Sequence, residues 1–175
     1  NANDIFIITR VEGEETEVGA GGETILTADG NINIIDSIVY GDSVEIESTG
    51  SDIFISGSEI TSNNGKIDIL ADNLTMIENS AITSGDYLQV YGDGDGVYIQ
   101  GSSLDADDYA VVRAWDGDVD IQSSLIRAHG GLLEILAGDN IDISDTMAES
   151  LGNTTITASA GYVRIDPTTI SAGGD

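Results

Sequence analysis

A serine or threonine returns every 21 or 22 residues along this 175-residue chain. An apolar residue follows two positions after each of them, and a small residue (Ala, Gly or Ser) two positions after that. The eight hydroxyl positions are Thr16, Ser37, Ser58, Ser80, Ser102, Ser124, Thr146 and Thr168. A fixed period of this length is the signature of a repeat architecture in which neighbouring repeats stack on one another.

Each period contains three short segments in which apolar and polar residues alternate. Alternation with a period of two predicts strands that bury one face. Ile67-x-Ile69 exemplifies the first segment and Ile53-x-Ile55 the second, and the third is the hydroxyl segment itself. Gly, Asp, Asn and Ser lie between the segments, where they suit sharp corners. Apolar residues nowhere recur with helical spacing, so we predict no helix.

Three strands and three corners in about 22 residues predict one triangular coil of a parallel β-helix. We therefore predict an all-β fold, a single-stranded right-handed parallel β-helix (β-solenoid) of about eight coils that forms one domain over residues 1–175. At the strand spacing of about 4.8 Å, eight coils make a rod of roughly 38 Å. Equivalent residues of successive coils then lie above one another, so the hydroxyl column becomes a ladder and the small column marks a narrow part of the interior.

The charge of the chain excludes two classes of partner. Five basic and 32 acidic residues give a net charge of −27, which repels nucleic acid phosphates and anionic membrane surfaces. No apolar run is long enough to cross a membrane, so we predict no membrane insertion. The absence of Cys excludes disulfides and thiolate metal sites. The self-repulsion must be screened, which favours a secreted protein in a saline setting or bound divalent cations.

An aspartate-rich segment is the best candidate for a metal site. Ca²⁺ binds several carboxylate and carbonyl oxygens on flexible loops. Gly92-Asp93-Gly94-Asp95-Gly96 and the acidic residues that follow in the same coil offer such oxygens. The alternative is that these are solvated corner residues. The predicted calcium ligands are Asp93, Asp95, Asp105, Asp107 and Asp108.

Aromatic residues recur at the coil period. Tyr87 and Tyr109 are 22 residues apart, as are Tyr91 and Arg113, and Trp115 follows closely. Such residues stabilise a sheet as a ladder, join rods side by side, or stack on sugar rings. All three interpretations stay open, so these five residues are the candidates for lateral or glycan contact.

The apolar pattern continues to both extremities of the chain. Ile5 and Ile7 occur near the start, and Ile165 and Ile170 near the end. Open solenoid ends expose strand edges and apolar core, which favours stacking of a second copy. We predict a head-to-tail homopolymer with these four residues at the interface. The alternative is that the chain is a segment of a longer solenoid.

Catalysis is not predicted. β-Helical lyases need basic residues to stabilise a carbanion and Ca²⁺ to bind uronates, and the arginines here fall on different columns. Glycosidases need a carboxylate pair about 5 to 9.5 Å apart, which an acidic rod offers many times by accident. His129 is the only histidine and has no Cys or second His for a metal site. We assign no catalytic residue, and a β-helical polysaccharide lyase or hydrolase is the least favoured function.

Four segments resemble the repeats of filamentous haemagglutinin-like exoproteins. They are GKIDILA at 65–71, NSAITS at 79–84, VRIDP at 163–167 and ISA at 170–172. The resemblance implies a secreted right-handed β-helix of the two-partner secretion type, working in adhesion or as a surface fibre, without catalytic residues. We expect a secreted structural protein of the extracellular space or cell surface that builds filaments and has an adhesive or matrix role. The alternative is a polysaccharide-binding adhesin module of a longer exoprotein.

Overall fold

The computed structural model describes residues 5–8 and 16–174, which form three parallel sheets. Each coil contributes one strand to sheet A, then one to sheet B and one to sheet C. Sheet A contains β1 (Ile5–Ile8), β4 (Ile32–Ile35), β7 (Ile53–Ser56), β10 (Leu74–Glu78), β13 (Gly96–Gln100), β16 (Asp118–Gln122), β19 (Ile141–Ser144) and β22 (Val163–Ile165). Sheet B contains β2 (Thr16–Gly19), β5 (Ser37–Gly41), β8 (Glu59–Ser62), β11 (Ala81–Ser84), β14 (Ser103–Ala106), β17 (Leu125–Ala128), β20 (Met147–Ser150) and β23 (Thr169–Ala172). Sheet C contains β3 (Glu23–Ala28), β6 (Ser43–Ser48), β9 (Ile67–Ala71), β12 (Leu88–Gly92), β15 (Ala110–Ala114), β18 (Leu133–Ala137) and β21 (Thr154–Ala158).

The predicted parallel β-solenoid is confirmed. The described chain makes seven complete coils and two strands of an eighth, wound in the right-handed sense of parallel crossovers. Each strand pairs with the equivalent strands one coil before and one coil after. Within residues 5–8 and 16–174 there is no helix, and therefore none that is long and apolar enough to span a membrane.

The register places equivalent residues directly above one another. Ile82 of β11 lies between Ile60 and Leu104 of the neighbouring coils, and all three are fully buried. On sheet A a column of isoleucines continues through six coils with at most 1% exposure, namely Ile34, Ile55, Ile77, Ile99, Ile121 and Ile143. Burial of each such side chain contributes about 1.5–3 kcal/mol, so the core is a continuous apolar stack rather than one central cluster.

In six of the described coils the corner between sheets A and B consists of one residue in the left-handed conformation followed by the ladder hydroxyl. The left-handed residues have φ between 48° and 60° and are Asp36, Gly57, Asn79, Gly101, Ser123 and Asp145. The backbone N–H of Ser80 donates to Ser102 Oγ at 3.2 Å, and Ser102 Oγ donates to the carbonyl of Gln100 at 2.8 Å. The same pair of bonds is made by Ser58, Ser124 and Thr146. The predicted hydroxyl ladder is confirmed, and it satisfies backbone groups that the corner buries.

The predicted narrow part of the interior lies where sheet B ends. A Cβ added to Gly41 would lie 2.6 Å from the carbonyl oxygen of Ser43 and 2.8 Å from that of Gly22. The equivalent Ser62 and Ser84 are buried, and Ser62 donates to the carbonyl of Gly65 at 2.6 Å. The close approach of the backbone explains why this column holds only Gly, Ala and Ser.

A column of Asn and Asp lies at the corner between sheets C and A. Asn31 Oδ1 accepts from the backbone N–H of Asp52 at 3.2 Å, and Asp52 Oδ1 accepts from Asn73 Nδ2 at 2.8 Å. Asn73 Nδ2 also donates to Asp95 Oδ2 at 3.3 Å. The amide of Asn73 therefore separates two carboxylates that would otherwise stack and repel each other.

Candidate functional site

The outer face of sheet C carries the predicted aromatic residues. Val90 and Val112 face the core and are buried, so the alternating positions Tyr91 and Arg113 lie on the outer face. Tyr91 is the direct register partner of Arg113 in the next coil and of Leu70 in the coil before. Adjacent strands lie about 4.8 Å apart, which brings these three side chains into one outward column. We call Tyr87, Tyr91, Tyr109, Arg113 and Trp115 the aromatic patch.

Tyr87 and Tyr109 stack on each other at the edge of this face. Their ring centroids are 4.9 Å apart and their planes differ by 6°. Gln89 Nε2 donates to the Tyr109 hydroxyl at 3.4 Å. Burial is the main cause that raises the pKa of both tyrosines, and nearby carboxylates raise it further. Both phenols therefore stay protonated at neutral pH and remain hydrogen-bond donors.

Arg113 and Trp115 form a second stacked pair in the patch. The guanidinium carbon of Arg113 lies 3.2 Å from the ring centroid of Trp115, a cation–π geometry. Trp115 is 52% exposed. Stacking occupies one face of the planar guanidinium and leaves its N–H edge for other partners.

The other cations of the described chain pair with carboxylates. Lys66 contacts Asp68 at 2.5 Å, and Arg127 contacts Glu149 at 2.8 Å. Arg164 contacts a carboxylate oxygen at 3.4 Å. Within residues 5–8 and 16–174, no carboxylate lies within 4.0 Å of Arg113. Arg10 lies outside the described residues.

Two open recesses flank Tyr91. One of about 360 Å³ has Tyr109, Arg113 and Glu134 in its wall. The other, of about 190 Å³, is bordered by Leu70 and Trp115. Tyr91 lines both recesses and therefore lies between them. The structure thus brings the five predicted contact residues to one face, where flat rings and a guanidinium surround a concave surface.

Sequence reasoning missed a charged group beside this patch. Lys66 Nζ donates to Asp68 Oδ2 at 2.5 Å and to Glu45 Oε2 at 3.4 Å. Asp68 is 6% exposed, and its Oδ1 has no hydrogen-bond partner in the described structure. The hydrogen bond to Asp68 raises the pKa of Lys66 well above its usual range, against the opposing effect of desolvation. Lys66 therefore stays charged and offsets the negative charges of Glu45 and Asp68. These two carboxylates are about one coil period apart in the sequence, and this spacing would have indicated that they stack.

The structure does not bring the five predicted calcium ligands together. Asp93 and Asp95 lie at the corner between sheets C and A, whereas Asp105 lies on β14 of sheet B. Asp107 and Asp108 follow β14 at the corner between sheets B and C. No group of three His, Cys, Asp or Glu side chains in the described chain is close enough to hold a metal ion. Calcium binding stays a prediction.

His129 forms a surface pair rather than a metal site. Its Nε2 lies 2.7 Å from Asp105 Oδ1, and its side chain is 51% exposed. Asp105 lies on β14 of sheet B, and His129 directly follows β17 of the same sheet.

The four predicted interface residues lie in the first and last coils. Ile7 on β1 is buried, at 8% exposure. Ile165 on β22 is 42% exposed and Ile170 on β23 is 39% exposed, although both continue inward-facing columns. Their register partners Ile143 and Ala148 are fully buried. These two inward side chains are therefore exposed at the end of the stack, where no described coil covers them.

A long groove follows the corner between sheets A and B. It has a volume of about 1780 Å³ and extends past the hydroxyl ladder from Glu17 to Thr169. Among the described residues, no Lys or Arg lines the groove. Four carboxylates do, those of Glu17, Asp36, Glu59 and Asp145. The repeat pattern gave no indication of it, because a single left-handed residue of varying identity makes this corner.

Comparison with known proteins does not assign this chain to a family. β-Solenoids serve many functions, so the fold alone does not identify one. The structure has the parallel β-solenoid fold that the resemblance implied, and it does not identify the chain with filamentous haemagglutinin-like exoproteins. No protein-family model, curated protein or solved structure matches the chain.

Proposed function

We propose that this chain is a non-enzymatic, secreted structural protein whose coils stack end to end into an extracellular filament. The exposure of inward-facing apolar side chains in the last coil carries this proposal. Val163, Ile165 and Ile170 are 39–43% exposed, whereas their partners one coil earlier are fully buried. A further coil on this face would bury all three, with about 25 cal/mol of stabilisation per Å² of apolar surface removed from water.

The first coil has the matching residues in the same columns. Ile7 begins the column that ends at Ile165, and Val18 begins the column that ends at Ile170. Strands β1 and β22 are the two edges of sheet A, so a second copy placed in register continues the parallel ladder. Contact between the two different ends does not close on itself and therefore propagates as a filament.

The charge of the rod favours growth along its axis. Carboxylates dominate a chain of net charge −27, so two rods side by side repel each other at low ionic strength. The end face presents Ile and Val instead. Lateral bundling then requires a saline medium, in which the screening length falls to about 8 Å. An extracellular or cell-surface location with an adhesive or matrix role is consistent with this balance.

The test of the filament is Ile165→Asp, examined by electron microscopy and sedimentation. Unmodified protein should form rods with an axial repeat near 38 Å, since eight coils at about 4.8 Å set the rise. Ile165→Asp should remain monomeric because a buried, unpaired carboxylate opposes the contact. Phe6→Asp is the matched control, because Phe6 is 62% exposed on the outer face of β1. Persistent monomers of the unmodified chain at high concentration would refute the proposal.

A second candidate function is that of a polysaccharide-binding adhesin module. The aromatic patch favours it, because exposed aromatic rings beside hydrogen-bonding groups and recesses are the usual elements of a sugar-binding surface. The two functions depend on different parts of the molecule. The filament depends on its ends, and the binding module depends on one face of its middle coils.

A further inference from the structure

We infer that the aromatic patch binds an acidic polysaccharide by a uronic acid unit, whose carboxylate pairs with Arg113 while its ring stacks on an aromatic side chain of the patch. This inference rests on the second candidate function and specifies its ligand class. It does not depend on filament formation.

The state of Arg113 is the first step of the argument. The chain has 32 acidic and five basic residues, so an arginine on its surface has abundant carboxylates nearby. Lys66, Arg127 and Arg164 each contact at least one carboxylate, yet Arg113 contacts none within 4.0 Å among the described residues. Its stacking on Trp115 holds the guanidinium in place with the N–H edge unused.

The chemistry of that edge defines the charged part of the ligand. A guanidinium presents parallel N–H donors that match the two oxygens of a carboxylate. Stacking on an indole lowers the conformational entropy that Arg113 loses when it binds. A ligand carboxylate therefore meets a positioned partner rather than a flexible one.

The surroundings of Arg113 define the rest of the ligand. The recess of about 360 Å³ has Tyr91 and Tyr109 in its wall, and its size falls in the range of small-ligand pockets. The C–H face of a pyranose ring packs on such aromatic faces. Gln89, Asp108 and Glu134 line the same recess and offer hydrogen bonds to sugar hydroxyls. Rings, acceptors and one cation together match a sugar that bears a single carboxylate.

The net charge selects against denser anions. A polyphosphate concentrates its charge, and the net charge of −27 repels it. A uronate carries one charge per ring. At an ionic strength of 0.15 M the screening length is about 8 Å, so carboxylates beyond that distance act weakly on a charge held at Arg113.

Trp115 provides a direct measurement because it is the only tryptophan of the chain. Its fluorescence is recorded at about 0.15 M salt during titration with oligomers of galacturonate, mannuronate and glucuronate, and with their neutral methyl esters. We expect a saturable change with at least one acid oligomer, and binding of its ester that is at least about ten-fold weaker, since that factor corresponds to one modest charged contact.

Variants assign the effect to the guanidinium. Arg113→Gln should weaken binding of the acid oligomer at least about ten-fold and remove the preference over the ester. Arg127→Gln is the matched control, because Arg127 pairs with Glu149 on sheet B, and it should bind like the unmodified chain. Circular dichroism confirms that both variants keep their strands.

The possible outcomes distinguish failure of the uronate inference from failure of the glycan-binding function on which it rests. Equal binding of acid and ester by the unmodified chain would refute the role of the carboxylate and leave glycan binding standing. Absence of any response to all three acids and their esters would refute both. Unchanged affinity of Arg113→Gln, with its fold intact, would refute the role of Arg113.

Discussion

At the scale of single residues, one hydroxyl group per coil determines whether the corner between sheets A and B can be buried. Ser102 Oγ accepts a hydrogen bond from one coil and donates another to the residue two positions before it. The residue before it, Gly101, has φ of 60°, which turns the chain in a single step. Thr146 makes the same bonds, so a β-methyl group is tolerated at this position.

We predict that Ser102→Ala destabilises the protein by about 1–3 kcal/mol, because the variant leaves the buried N–H of Ser80 without a partner. Ser102→Thr should recover most of the loss. The measurement is urea denaturation followed by circular dichroism. Ser103→Ala is the control, since Ser103 lies on the outward side of β14 and should change the free energy of unfolding by less than about 0.5 kcal/mol. An equal loss from both alanine variants would contradict the role of the ladder.

The sequence predicted those residue contacts that follow from the constant coil period. The hydroxyl ladder and the stacking of Tyr87 on Tyr109 both need only an offset of 22 residues. Contacts within one coil were harder to predict from the sequence, because they depend on where each corner turns the chain. Asp93 and Asp108 are close in sequence, yet the coil carries them to different corners. That Arg113 has no carboxylate partner within the described residues likewise depends on side-chain directions, which the coil period does not give.

At the scale of elements, parallel strands in register bring like residues into contact whether or not contact is favourable. On the outer face of sheet A, Asp120 of β16 is the register partner of Asp142 of β19. Arg164 contacts Asp142 at 3.4 Å. Among the described residues, the hydrogen-bond partner of the Asp120 carboxylate is the amide of Gln122, which donates to both oxygens at 3.0 Å. Desolvation is the main cause that raises the pKa of Asp120, and the charge of Asp142 raises it further.

We predict that Asp120→Asn raises the melting temperature at pH 7 by about 1–2 °C. A carboxyl group with a raised pKa in the folded state costs stability when it is ionised, and this cost disappears as the pH falls through that pKa. The difference between the variant and the unmodified chain should therefore shrink toward about pH 3. Asp72→Asn, at an exposed corner, is the control and should show no such change. A constant difference from pH 7 to pH 3 would contradict the assigned cause.

At the scale of the whole molecule, the fold must tolerate a net charge of −27. Pairing relieves part of it, as in the contacts of Lys66 and Arg127. The amide of Asn73 relieves another part by separating Asp52 from Asp95. The remaining carboxylates repel one another along a narrow rod, which opposes the compact state unless ions in solution screen them.

We predict that the melting temperature rises by several degrees between 10 mM and 500 mM NaCl, because the screening length falls from about 30 Å to a few ångströms. CaCl₂ and MgCl₂ at equal ionic strength test the calcium prediction. A larger rise with Ca²⁺ than with Mg²⁺ would support specific carboxylate sites, since only binding to the folded state stabilises it. A melting temperature independent of NaCl would contradict the account of self-repulsion.

The pairing of each coil with its immediate neighbours has a consequence for how the molecule forms and opens. Strand contacts join residues one period apart, so we expect folding to begin in a few adjacent coils and to continue by addition of neighbouring coils. We expect opening of the described stack to start at its outer coils. The last coil, with Ile170 at 39% exposure, is held on one side by described strands and should fray before the middle coils do.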